Sequence, residues 1–194
     1  MRHPLRLRTG VALAAAVAAC VLAAPAAAQS GGTGSTTPTP TAPTTPPATG
    51  TTPGVATLMP DGSAVAPPDA PKPVRKAINA ANRIRLKPYV YGGGHRSFKA
   101  KGYDCSGAVS YVLHAAGLLK RPMASGGFVK GWGQPGTGQW ITVYANKGHM
   151  YAVIAGLRWD TSAVGEPVNN GSGPRWRSTA RTPTGYRAKY WLGL

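Results

Sequence analysis

Carboxylates and cysteines are the scarce residues of this chain: 5 Asp+Glu and 2 Cys in 194 residues, against 22 Lys+Arg. Each scarcity excludes something. Cys20 lies inside an apolar N-terminal run, so beyond that run Cys105 is the one remaining thiol and no intramolecular disulfide can form. From residue 73 onward the only carboxylates are Asp104, Asp160 and Glu166, and no His/Cys pair has metal-ligand spacing, which argues against a metal hydrolase. A two-carboxylate glycosidase would have to use the same three residues, yet Asp104 reads as a helix cap and Glu166-Pro167 as loop. The glycines at 92–94 are not followed by Lys-Ser/Thr, so they do not form a phosphate loop. No cofactor or metal is expected. The apolar run at 11–24 is too short and too rich in alanine for a membrane span.

What is abundant is positive charge, a formal +17. Such a surface is drawn to polyanions. The N-terminus decides which kind. Arg2, Arg6 and Arg8 precede the apolar run, and Pro25-Ala26-Ala27-Ala28 follows it, the three parts of a secretory signal at residues 1–28. A competing reading takes Val17-Ala18-Ala19-Cys20 as a lipoprotein box with Cys20 lipidated. Either way the expected location is secreted or cell-envelope, and the expected polyanion is a cell-wall polymer rather than nucleic acid. Residues 29–72 are dominated by Thr, Pro, Gly, Ser and Ala without apolar period, and are expected to be a disordered, proline-stiffened linker.

Order is expected over residues 73–194. Val74, Ala77, Ile78, Ala81 and Ile84 recur at three- and four-residue steps, one face of a helix that begins at Pro73 and ends before Pro88. A second helix is expected from Asp104-Cys105, with Asp104 as N-cap, Ala108, Val109, Val112 and Ala116 buried, and Gly117 closing it. Residues 121–138 read as irregular, anchored by Phe128 and Trp132. Strands are expected at 140–144, 149–155, 158–161 and 187–192, with a turn at Ala145-Asn146-Lys147-Gly148 and a loop at 164–174. Helices first and strands after predict an α+β fold, helices packed on a small antiparallel sheet.

Cys105 is the candidate nucleophile. It opens a helix, where unbonded N–H groups and the helix dipole favour an anion, and the thiolate is the reactive form. Asp104 opposes that charge, so a nearby cation is needed, and a protonated histidine would supply it. His3 lies in the signal. His114 is nine residues past Cys105, about 900° around the helix and on its opposite side. His95, in the glycine loop, can approach the site. His149 opens a strand after a tight turn, on an element that holds a base in place. Asp160, on the next extended piece, is the candidate to orient that base, with Asn146 a weaker alternative explained by the turn.

Tyr103-Asp104-Cys105-Ser106-Gly107 before an apolar helix, Pro88-Tyr89-Val90-Tyr91-Gly92-Gly93 upstream and Gly148-His149-Met150 downstream resemble the NlpC family of papain-like cell-wall cysteine peptidases over residues 73–161. The resemblance implies a papain-like fold with the nucleophile at a helix N-terminus. It also implies Cys105 as nucleophile, His149 as base, Asp160 in the third position, and Tyr89 and Ser106 on the substrate and oxyanion side. The implied substrate is the stem peptide of peptidoglycan, often at the bond between D-glutamate and a diamino acid. Three positions depart from the family pattern: Tyr91 where Trp is common, Gly138-Gln139 where Gly-Asp begins the strand, and Asp160 where His is common. Two rivals remain: a non-catalytic wall-binding protein, and an amidase or acyltransferase on the same scaffold.

Overall fold

The computed structural model describes residues 52–166 and 171–194. The expected signal and the linker as far as residue 51 lie outside them. The elements in chain order are β1 (Thr57–Leu58), β2 (Ala64–Val65), α1 (Lys72–Ile84), α2 (Cys105–Ala115), α3 (Ser125–Gly131), β3 (Gln134–Pro135), β4 (Ile141–Ala145), β5 (Met150–Ile154), β6 (Leu157–Asp160), β7 (Arg175–Arg177) and β8 (Arg187–Tyr190). This is an α+β arrangement: β1 and β2 form a hairpin, and the other six strands form an antiparallel sheet in the order β3-β8-β4-β5-β6-β7.

The core lies between the helices and one face of the sheet. α1 buries Val74, Ala77, Ile78, Ala80, Ala81 and Ile84, the periodic set read from the sequence plus Ala80. Met150, Ala152 and Ile154 of β5 and Trp159 of β6 are fully buried with Val109, Val112 and Leu113 of α2. The Trp159 indole N–H donates to the Ala108 carbonyl at 3.4 Å and ties the sheet to α2.

Two turns set the registers that matter for the site. Ala155 and Gly156, both at positive φ (46° and 76°), make the two-residue link between β5 and β6, a conformation matched to the twist of a hairpin. It pairs Ile154 with Leu157, Val153 with Arg158 and Ala152 with Trp159. One step further along that register Asp160 stands across from Tyr151. His149 precedes Tyr151 by two residues, so it shares that face of the sheet in the diagonal position. Asn146 makes the β4–β5 turn: its Oδ1 accepts from the N–H groups of Gly148 (2.9 Å) and His149 (2.8 Å).

Several expectations are corrected. Order begins well before Pro73. Ala56, Ala64 and Ala70 are buried in the core, Ala56 N–H donates to the Ala155 carbonyl at 2.8 Å, and Asn82 of α1 bonds both main-chain groups of Ala64 at 2.9 and 2.8 Å. The apolar pieces of this hairpin are two residues long, too short to give a period. Residues 125–131 form α3 despite poor helix formers, because Phe128 and Trp132 sit one turn apart and both enter the core. β3 and β7, at two and three residues, likewise escaped the pattern. The expected loop at 164–174 contains residues 167–170, which lie outside the described set.

The glycine segment 92–94 packs directly on the start of α2. A Cβ on Gly107 would collide with the Gly93 carbonyl oxygen, and one on Gly94 would come within 2.8 Å of the Gly107 Cα. Gly107→Ala is therefore expected to destabilise the protein by about 1–3 kcal/mol, the usual cost of overpacking. Gly126→Ala, in α3 with nothing within 4 Å of the added carbon, is expected to be neutral or slightly stabilising. Urea unfolding of the two variants checks the contrast.

Candidate active site

Cys105 is the first residue of α2 and is partly exposed. Asp104 caps the helix as expected, its Oδ1 accepting the Gly107 N–H at 2.7 Å. Gly117, at positive φ, closes the far end: its N–H reaches the His114 carbonyl (2.9 Å) while Leu118 N–H reaches that of Leu113 (2.8 Å).

Asp104 also holds the glycine loop. Its Oδ2 accepts the Gly92 N–H at 3.1 Å, and its own N–H donates to the Gly93 carbonyl at 3.2 Å. His95 does approach the site, but from the cap side. Its Nε2 lies 2.9 Å from Asp104 Oδ2 and 2.9 Å from Ser106 Oγ. His114 is elsewhere, stacked on Phe98 and bonded to the Leu119 carbonyl at 2.9 Å.

His149 Nε2 lies 2.8 Å from Asp160 Oδ1. Cys105 lies near enough to the same ring to favour its protonated form. Burial alone would push the imidazole toward neutrality. The Asp160 hydrogen bond and charge, with Cys105, outweigh it and raise His149 from 6.5 to about 9. The histidine is thus a cation at neutral pH, with its Nε2–H directed at the carboxylate. Asp160 has no side-chain exposure. Burial would raise its carboxyl, but the His149 hydrogen bond and charge, the Ser162 N–H (2.9 Å) and Arg181 hold it below the usual carboxylate range.

An open cleft of about 260 Å³ runs over Cys105, lined by Tyr89, Tyr91, Gly92, His95, Asp104, Ser106, Ala124, Ser125, Lys147 and Gly148. Tyr89 faces it with its hydroxyl pushed up, first by burial and then by the charges of Cys105 and Asp104, so it remains a hydrogen-bond donor. The Ser106 hydroxyl is buried and donates to Asp104 Oδ1 at 3.1 Å. Only the main-chain N–H of Ser106 is left to face an oxyanion. Of the first three helical N–H groups, that of Gly107 is taken by Asp104, and those of Cys105 and Ser106 have no partner among the described residues. A cysteine sulfur at a helix start, an imidazolium held by a buried carboxylate, and two unbonded amide N–H groups at that helix start are groups that acyl transfer can use.

Sequence reasoning missed the cationic surroundings of Asp160. Arg181 Nη1 lies 3.0 Å from Asp160 Oδ2, and Arg158 Nε lies 3.9 Å from the same oxygen. Arg158 is paired with Glu166 at 3.1 Å, and the Glu166 carboxylate also accepts from the Ser178 and Thr179 hydroxyls at 3.0 and 2.8 Å. The buried Arg177 donates to the Asp160 and Gly171 carbonyls at 3.4 and 3.0 Å. The only sequence signal for this network was the density of arginine after residue 174. Asn146, the weaker alternative for the third position, is committed to its turn.

No family model matches the chain, and no curated protein matches it. Among solved structures it is similar to a hypothetical invasion protein of Mycobacterium tuberculosis, at 21% identity and TM-score 0.43 over 61% of this chain and 64% of that one. It is similar to a variant of the Resuscitation Promoting Factor Interacting protein RipA, at 22% identity and TM-score 0.44 over 61% of this chain and 62% of that one. It is also similar to RipD from Mycobacterium tuberculosis, a non-catalytic NlpC/p60 domain protein with adaptation to peptidoglycan-binding function, at 22% identity and TM-score 0.46 over 63% of this chain and 100% of that one. The chain spans less than two thirds of the first two, 64% and 62% of their length.

The His149–Asp160 pair makes a pH prediction. His149 lies above its ordinary 6.5, so its contribution to stability is full below that value and is lost as pH rises through about 9. Asp160 lies below its ordinary 3.8, so its contribution is present above that value and is lost as pH falls. The His149 ring protons, followed by NMR, are expected to titrate near pH 9, and Asp160→Asn is expected to move that midpoint down toward 6.5. A midpoint in Asp160→Asn equal to that of the parent protein would contradict the assignment.

Proposed function

We propose that this chain is an exported cysteine peptidase that cuts amide bonds in the stem peptides of the bacterial cell wall. The observation that carries the reading is the pair His149–Asp160 beside Cys105: the His149 Nε2 lies 2.8 Å from the fully buried Asp160 carboxylate, and Cys105 acts on the same ring. In this reading the Cys105 thiolate attacks the amide carbonyl. The developing oxyanion is held by the main-chain N–H groups of Cys105 and Ser106, with the Tyr89 hydroxyl facing it across the cleft. The His149 imidazolium gives its proton to the departing amine, and a thioester remains on Cys105. Neutral His149 then takes a proton from water as it attacks, and the acid is released. Asp160 keeps the ring in one orientation through both half-reactions.

The substrate assignment rests on the motif resemblance around Cys105 and on the charge of the chain. The basic excess, 22 Lys+Arg over 5 Asp+Glu, favours residence on anionic wall polymers, and the N-terminal signal and Thr/Pro-rich linker would deliver the domain there with reach. The bond between D-glutamate and a diamino acid is the expected cut.

Digestion of purified peptidoglycan with mass spectrometry of the released fragments tests this. The parent protein is expected to release muropeptides cut within the stem peptide. Cys105→Ser is expected to lower release by at least about a thousandfold, the scale seen when a nucleophile is removed, while binding to the wall is unchanged. Equal behaviour of the two proteins would mean a wall-binding module. A cut between sugar and peptide, or an acyl group moved to an added amine, would mean an amidase or an acyltransferase.

A further inference from the structure

We propose that Arg181 is a positioning residue for the site, fixing the carboxylate of Asp160 so that its other oxygen stays on His149. The two oxygens of Asp160 have separate partners. Oδ1 takes His149 Nε2 at 2.8 Å and the Ser162 N–H at 2.9 Å. Oδ2 takes Arg181 Nη1 at 3.0 Å, and the next cation, Arg158 Nε, is at 3.9 Å, beyond hydrogen-bond reach. A carboxylate held by one oxygen alone can swing about its bond, and among the described residues Arg181 is the one that hydrogen-bonds the second.

Neither neighbouring arginine hydrogen-bonds that oxygen. Arg158 is tied through its two terminal nitrogens to Glu166 at 3.1 Å and the Val164 carbonyl at 3.0 Å, which holds its Nε short of Asp160. Arg177 donates to two carbonyls, one of them the main chain of Asp160 itself. Arg181 is held in turn. Its guanidinium carbon lies 5.6 Å from the ring centre of Tyr151 and 5.5 Å from that of Tyr186. The Tyr186 ring also stands edge-on to His149 at 6.4 Å, so this one ring packs on both partners of Asp160.

The chemistry of the proposed reaction requires such a cation. When His149 gives its proton to the leaving amine it becomes neutral. A carboxylate with no exposure would then lose its hydrogen-bonded countercharge, and an unpaired buried anion is strongly unfavourable. A guanidinium cannot give up its proton in this range, so Arg181 keeps Asp160 ionised through the whole cycle. A neutral orienting residue would need no such partner. The arginine goes with the choice of aspartate at this position.

The inference rests on the cysteine-peptidase reading, but its first readout, the titration of His149, does not require turnover. The full chain is compared with Arg181→Gln and Arg181→Lys by NMR, with circular dichroism as the check on folding. In Arg181→Gln the imidazolium becomes the main counterion of Asp160, so the His149 midpoint is expected to rise by about one pH unit or more, which is about tenfold in the protonation equilibrium. kcat is expected to fall about tenfold with KM little changed, because the ring then gives up its proton less readily while peptide binding is untouched. Arg181→Lys, which keeps the charge, is expected to restore most of both. A folded Arg181→Gln protein whose midpoint is unchanged or lowered overturns the proposal. If that variant does not fold, the same change is made in the Asp160→Asn background, where no buried anion is left to neutralise. There it is expected to move the His149 midpoint by no more than about 0.3 pH units, against the single Asp160→Asn protein. A larger movement would mean that Arg181 acts on the imidazole directly, and would also overturn the proposal.

Discussion

A carboxylate removed from water has to be matched by cations, and at Asp160 that requirement organises the whole sheet side of the site. The penalty for burying one ion is several kcal/mol even after relaxation, so the group persists as an anion only with good partners on both oxygens. His149 is one partner, and its protonation up to about pH 9 is the reciprocal of the same interaction. The ionisation of ring and carboxylate is thus one coupled state rather than two separate ones.

The helix side obeys a steric constraint instead. Gly93, Gly94 and Gly107 let two stretches of main chain touch with no side chain between them, and Asp104 bonds across the junction to Gly92, Gly93 and Gly107. This contact fixes where the first turn of α2 points. The Ala155–Gly156 turn and the Trp159 indole then fix the distance between that turn and the sheet. A local backbone contact and a strand register, separate in the chain, bring sulfur and imidazole to the same place. Neither half contains chemistry by itself.

This division explains what could be read from sequence. Helical period placed α1 and α2 to within a residue or two, because each buries a periodic face, and short apolar or aromatic runs next to turn residues placed β4, β5, β6 and β8. Cys105, His149 and Asp160 were legible because a lone thiol at a helix start, a histidine opening a strand and an acid on the neighbouring strand are local features. α3 and the β1–β2 hairpin were not. They form because single side chains such as Phe128, Trp132 and Ala56 find pockets made by distant segments, and propensity is overridden. Arg181 was invisible for a related reason. It lies 21 residues from Asp160, in an irregular stretch, and only the folded sheet brings the two together. Ser106 lines the cleft beside Cys105, and its hydroxyl is held by Asp104, a partner that the sequence did not indicate.

The scarcity of acid in the chain has a structural counterpart. Asp61 pairs with Arg85, Asp69 accepts the Gly54 N–H, Asp104 caps α2 and holds the glycine loop, Asp160 holds the base, and Glu166 closes on Arg158 and two hydroxyls. All five carboxylates therefore have a structural partner, and none is left over to neutralise the surface. Adding surface carboxylates would lower the positive excess without touching the site, whereas removing Asp160 or Glu166 would take a counterion from the buried Arg158 as well. The carboxylates that shape the site are thus separate from the surface charge, and the two can be altered separately.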